Sequence, residues 1–169
     1  MTSNTPKKFT AKMDMTYEQA FRLRFETQVD VTNAFIPIVG REKAIEIVEK
    51  MSEEKSIEVA KHWVKGYGPI KNFQDFKDFF KKQMTSELMK HTTTYEIIED
   101  SDEELEFKIT ECLWAKVFKE LNETEQGYRI YCKPDFAMAK TFHPKVKLTR
   151  TKSLMEGKMY CNHKYTWEK

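Results

Sequence analysis

This chain of 169 residues has few cysteines, no long apolar run and no dominant charge sign. Each shortage excludes something. Three cysteines are an odd number, spaced unlike any paired zinc knuckle, so no disulfide framework is available and reduced thiols in a cytoplasmic setting are expected. No apolar stretch approaches the roughly 20 residues needed to cross a bilayer, which points to a soluble chain with no membrane partner. Lys and Arg total 29 against 27 Asp and Glu, with the two signs interspersed. That balance leaves no electrostatic footprint for nucleic acid or for an anionic membrane. Met1 to Lys12 is polar and basic without an apolar h-region, so it reads as a frayed arm and not as a signal peptide. No internal repeat, low-complexity tract or linker follows it.

The chain is long enough to bury a core without disulfides and fits one domain. Helix signals come first. Thr16 is placed to cap a helix with Glu18 and Gln19 in its first turn, and Phe21, Phe25, Val29 and Ile36 share a face until Pro37 and Gly40. A second helix starts near Arg41, and its apolar stripe shifts from Ala44, Val48 and Met51 to Ser56, Ala60, Trp63 and Tyr67, suggesting a bend near Glu53. Gly66, Gly68 and Pro69 end it. Asn72 caps a third helix whose Phe73, Phe76, Phe80, Met84 and Leu88 form an apolar stripe suited to core packing.

Near Thr92 the period changes from helical to alternating. Leu105, Phe107 and Ile109 alternate with charged residues, and Tyr95 to Glu99 precedes them across the turn Asp100–Glu103, so an antiparallel hairpin is expected. Cys112 to Leu121 returns to helical spacing, a short helix follows around Asp135 to Phe142, and Val146–Lys152 with Met159–Trp167 closes the chain as a second hairpin. The expected fold is α+β in a single domain, with N-terminal helices packed on a small antiparallel sheet of two hairpins. Residues 1–14 form the arm, 15–91 the helical part, and 92–169 the sheet and the site.

The last third concentrates the chemistry. Strand parity puts Arg150 on the face shared by Val146 and Leu148, so it points inward and needs an anionic partner. Two partners fit, a substrate carboxylate or an internal acid such as Asp135 or Glu156. On the other strand Cys161, His163 and Tyr165 are in phase and face the same side, where Cys161 serves either a site or the core. Pro134 suits a first helical turn, which sets Cys132 just before a helix N-terminus whose free amides favour a thiolate. Asp135 lies one residue inside that turn and His143 just beyond the helix. Cys132, Asp135 and His143 therefore read as nucleophile, carboxylate and base, or else as a buried thiol and an aspartate complementing the helix dipole.

Glu111-Cys112 with Phe118, Cys132-x-x-Asp135-Phe136-Ala137, Phe142-x-Pro144, Leu148-Thr149-Arg150-Thr151-Lys152, and Met155-Glu156-Gly157 with Cys161 together resemble the signature of the L-2-amino-thiazoline-4-carboxylic acid hydrolase family. The ordered motifs run from Glu111 to Cys161, while the first half is similar only in layout. The resemblance implies hydrolytic opening of a thiazoline ring in a small carboxylate. It marks Cys132, Asp135, Arg150, Glu156 and Cys161 as signature positions, with Glu111 and Cys112 in support. His143 stands where relatives place asparagine, and His163 where an aromatic is usual. The hairpin from Glu156-Gly157 to Cys161 is also similar to that of the 4-vinyl reductase domain, a small-molecule-binding fold.

On this reading Arg150, Glu156 and Cys161 bind the substrate, Arg150 by a bidentate grip on its carboxylate. Cys132 attacks an electrophilic C=N carbon, and Asp135 or His143 handles the proton. No cofactor is expected. Two alternatives stay open. Cys112, Cys132, Cys161 and His163 have the right donor types for zinc, and the same cavity would also serve a ligand sensor without turnover.

Overall fold

Thr16 opens the first helix as its side chain predicts. Its hydroxyl accepts from the Gln19 amide while the Gln19 side chain accepts from the Thr16 amide, so two orphaned donors are satisfied reciprocally. The computed structural model describes residues 13–168. Residues 1–12 of the expected arm lie outside the described residues. The first helix, α1 (Tyr17–Val39), buries Phe25, Val29 and Thr32 and passes through Pro37 before stopping at Gly40, whose φ of 82° favours glycine. Pro37 is tolerated because it stands in the last turn, where it removes a single helical bond.

Helix α2 (Arg41–Tyr67) is continuous through Glu53 and ends at Gly68. In α3 (Phe73–Met84) the Asn72 side chain accepts from the Asp75 amide at 2.9 Å. The apolar stripe expected to reach Leu88 stops at Met84, because Ser86 caps a separate short helix, α4 (Glu87–Thr92), and Leu88 is exposed.

Both expected hairpins form. They comprise β1 (Thr93–Asp100) with β2 (Glu104–Cys112), and β3 (Val146–Thr149) with β4 (Cys161–Trp167), in one antiparallel sheet ordered β1-β2-β4-β3. The join is the β2–β4 ladder, which sets Leu105 against Tyr165, Phe107 against His163 and Ile109 against Cys161. Period-2 alternation thus places Leu105, Phe107 and Ile109 of β2 with Cys161 and Tyr165 of β4 on one buried face. That face rests on α3, where the rings of Phe76 and Phe80 lie 5.3 and 4.6 Å from Tyr165. No helix among the described residues is long and apolar enough to cross a membrane.

Between β2 and β3 the chain stays helical for longer than its sequence suggests. After α5 (Leu113–Glu120), the short α6 (Thr124–Gly127) runs through a π-helical turn (Tyr128–Cys132) into α7 (Pro134–Phe142). Cys132 is therefore inside a helical run, and the expectation that it precedes a free helix N-terminus is corrected. Pro134 has no N–H, and its ring would collide with the carbonyl four residues back, so the turn before it widens. The Lys133 amide reaches back five residues to Tyr128 at 2.9 Å, and the Phe136 amide turns to the Lys133 carbonyl at 3.2 Å. The Cys132 carbonyl is left free for another donor.

Gly127 lets this run approach its neighbours. A Cβ there would stand 2.6 Å from the Phe118 ring and 2.7 Å from the Met155 sulfur. We expect Gly127→Ala to cost about 1–3 kcal/mol through overpacking. A urea midpoint equal to wild type would show that α5 and the Met155 turn yield instead.

Candidate functional site

The site assembles around one guanidinium. Arg150 follows β3 and continues the cross-strand pairing of Leu148 with Tyr165, which brings it beside His163. Its side chain is only 2% exposed. Nη1 donates to Asp135 Oδ2 at 2.8 Å and contacts His163 Nε2 at 3.0 Å. Since a guanidinium can only donate, His163 Nε2 accepts and the ring carries its proton on Nδ1. Nη2 donates to the Cys132 carbonyl that the π turn frees. The rings of Phe136 and Tyr128 flank the guanidinium at 5.1 and 5.7 Å. The Nε–H is buried and finds no acceptor among the described residues. The inward arginine expected from strand parity is present, and of the two internal acids considered for it, the partner is Asp135.

Burial sets the electrostatics here. It holds His163 down to about 3, with Arg150 adding to the effect. It raises the Asp135 carboxyl above its ordinary value while Arg150 pulls the other way. Burial also pushes the Cys132 thiol well up, with Arg150 opposing, so the resting group is a thiol rather than the thiolate expected from a helix N-terminus. The residue that does stand at a helix start is Cys112, at the N-cap of α5. Burial lifts its thiol to about 11, against the nearby amides of Ala115 and Trp114.

The depressed histidine has a consequence for stability. Below its unfolded value of 6.5 the unfolded chain binds a proton that folded His163 refuses until about 3, so stability falls as pH drops through that window. The slope reaches about 1.4 kcal/mol per pH unit from this group. We expect His163→Asn to flatten this part of the melting-temperature profile. A wild-type-like profile in that variant would assign the pH dependence to other groups.

Other residues singled out from sequence fall elsewhere. His143 sits at the far end of nine-residue α7 from Asp135, about 12 Å along the axis at 1.5 Å per residue. Its Nδ1 accepts from the Lys145 amide at 3.2 Å and its ring stacks on Trp167 at 4.4 Å. That placement corrects its expected role as base to Cys132. Glu156 is exposed in a 3-10 turn (Leu154–Glu156), away from the guanidinium. Cys161 is buried, and its sulfur accepts the Leu154 amide at 3.1 Å, which holds that turn against β4. Cys112, Cys132, Cys161 and His163 do not form a zinc set, since among the described residues no three His, Cys, Asp or Glu are arranged to hold a metal ion.

Cys112 and Cys132 nevertheless both lie within electrostatic reach of the Asp135 carboxylate, which helps to raise their thiols. Cys112, Glu111 and Leu154 also line a cleft of about 680 Å³ that opens between α4, the β1–β2 ladder and α5, rimmed by Lys90, Lys116 and Lys119. Sequence reasoning missed Tyr128 and Phe136 as the walls of the guanidinium. The available signal was their four-residue spacing from Cys132 in both directions, which puts them on its helical face.

The sequence model for L-2-amino-thiazoline-4-carboxylic acid hydrolase matches residues 7–165, nearly the whole chain. No curated protein matches it. Among solved structures, the chain is similar to trafficking protein particle complex subunit 3 from Naegleria fowleri, covalently bound to palmitic acid. That likeness has 10% identity and a TM-score of 0.53, covering 90% of this chain and 95% of that one. It is also similar to the phenol-responsive sensory domain of the transcription activator PoxR with phenol, at 12% identity and a TM-score of 0.50, covering 93% of this chain and 77% of that one. At such identities these likenesses speak to the fold alone.

Proposed function

The chain belongs to the L-2-amino-thiazoline-4-carboxylic acid hydrolase family, and from that premise we propose that it opens a C–N or C–S bond in a small heterocyclic, cysteine-like carboxylate at the Arg150–Asp135–Cys132 cluster. The observation that carries this reading is the buried Nε–H of Arg150, a donor left without an acceptor among the described residues. An orphaned donor on a buried cation costs free energy. A substrate carboxylate relieves it by accepting from Nε and from the second hydrogen of Nη2, the side-on geometry that arginine offers and lysine does not.

Chemistry then follows from the protonation states. Because the resting Cys132 is a thiol, attack needs a base, and Asp135 is the carboxylate whose value burial has raised towards that task. As Cys132 Sγ bonds to the C=N carbon, its proton passes through Asp135 to the ring nitrogen. The ring C–S bond breaks and its sulfur leaves as a thiol. Water next adds to the enzyme-bound carbon, the bond to Cys132 breaks, and a ureido product departs with the Cys132 thiol restored. Arg150 orients the carboxylate, and His163 holds the Nη1 end of the guanidinium.

Purified protein screened against thiazolines, cyclic amidines and hydantoin-like carboxylates is expected to open a ring and release a new thiol. Cys132→Ser is expected to fold normally and lose about a hundredfold or more in rate, since a serine hydroxyl is far less nucleophilic. Near-wild-type turnover in that variant would replace the covalent route by water activated at Asp135. A second reading, a small-molecule-binding domain without turnover, is favoured by the high thiol value at Cys132. It predicts ligand binding with no ring opening for any member of the screen.

A further inference from the structure

Strand β1 is the long edge of the sheet. The order β1-β2-β4-β3 leaves one side of its backbone without a neighbouring strand among the described residues, over eight residues from Thr93 to Asp100. Natural folds shorten, charge or cover such edges, because free N–H and C=O groups in a row pair with any extended chain. The side chains point the same way. Tyr95 and Ile97 stand opposite Ile109 and Phe107, which puts both on the core face, yet Ile97 is 43% exposed while Phe107 is 1% exposed. The core face is cut short at this edge.

We propose that the chain's own residues 6–12 cover the edge as a fifth, antiparallel strand, with Phe9 opposite Ile97 and Ala11 opposite Tyr95. The first observation that selects this occupant is where the segment joins the fold. The Tyr17 ring stacks on His91 at 4.9 Å, two residues before β1 begins, and Glu18 pairs with Lys116 at 2.6 Å. Residues 13–16 span at most about 14 Å when extended, so residue 12 is within reach of the Thr93 end. From there the earlier residues run back towards Asp100, and two strands in opposite directions form an antiparallel pair.

Charge is the second observation. Every charged residue of β1 is acidic, namely Glu96, Glu99 and Asp100, and every charged residue among the first twelve is basic, namely Lys7, Lys8 and Lys12. In this register Lys8 and Lys12 lie diagonally on either side of Glu96, on the wet face where Lys108 also reaches it at 3.4 Å. Past the irregular step at Ile98, Lys7 comes beside Glu99, and Pro6 ends the pairing because it has no N–H to give. A second copy of β1 would instead set these acids beside one another.

Parity is the third. Phe9 and Ala11 alternate with Lys8, Thr10 and Lys12, the period of a half-buried strand. One phase puts Phe9 on the core face beside Ile97, and a slip of one residue would turn it to solvent opposite Glu96. The family match also begins inside this segment, at residue 7.

Amide hydrogen exchange of the full chain tests the pairing. Deleting residues 2–12 should speed exchange of the outward amides of residues 93–100 at least about tenfold while α2 stays protected, and Phe9→Asp should do the same in the full chain. Crosslinking under mild oxidation, mapped by peptide mass, reads the register. Phe9→Cys with Ile97→Cys should form a disulfide, since directly opposed residues stand about 4.5–5.5 Å apart. Phe9→Cys with Glu96→Cys should not, because the two Cβ atoms point to opposite faces. Exchange in β1 indifferent to the deletion, or equal crosslinking in the two pairs, would overturn the proposal. So would protection of β1 that is lost on dilution in a chain sedimenting at twice its single-copy mass of 20.2 kDa, an outcome that assigns the edge to a second copy.

Discussion

Arg150→Ala should lower the unfolding free energy by about 3–5 kcal/mol, the range seen when one partner of a buried ion pair is removed. The side chain is 2% exposed, so nothing in solvent replaces it. Its loss strands the Asp135 carboxylate and the Cys132 carbonyl without their donors, and it opens a void between Phe136 and Tyr128. In a chain of this size each kcal/mol is worth about 2–4 °C, so the melting temperature should fall by roughly 10 °C. Arg150→Lys keeps the charge but not the fork, and should recover only part of the loss. A change below about 1 kcal/mol in the alanine variant would mean that the cluster reorganises without it.

Asp135→Asn should cost about 10² to 10⁴ in kcat/KM for ring opening, the usual contribution of a positioned proton carrier. The amide keeps the shape and can still accept from Arg150, but it cannot take a proton. The pH profile separates catalysis from folding. A base must be ionised to act, so wild-type activity should rise with pH through a carboxyl value above the ordinary 3.8, and the asparagine variant should lack that limb. Stability will fall as well, because Arg150 loses its countercharge, so rates belong well below both melting temperatures. An intact acid limb in Asp135→Asn would place proton transfer on another group.

Much of this arrangement is legible in the sequence because local rules and the fold agree. Thr16 and Asn72 cap the helices that their side chains favour. Alternation from Leu105 to Ile109, and from Cys161 to Tyr165, fixes the buried face of the sheet, and the same parity turns Arg150 inward. What escaped was the turn before Pro134. A proline in a first helical turn and a proline that widens an existing helix leave the same trace in sequence, and the two differ only in where the Lys133 amide bonds. That one difference moves Cys132 from an activated end to the half-buried interior of a helical run and frees its carbonyl for Arg150. His143 was misplaced for a related reason, since closeness in sequence to Asp135 becomes the full length of α7 in space. The contact between His163 and Arg150 depends on β3 and β4 pairing one step beyond the regular strand, which periodicity alone does not reveal.

The most direct test compares kcat/KM for 2-amino-thiazoline-4-carboxylate with that for the same ring lacking its carboxylate, read as the appearance of a new thiol. With Arg150 gripping the carboxylate through its unpaired Nε–H, the acid should be opened at least about a hundredfold more efficiently, since the carboxylate-free ring leaves that charged donor unpaired. The preference should collapse in Arg150→Lys. Equal rates for the two rings, or binding of the acid without any ring opening, would contradict the account.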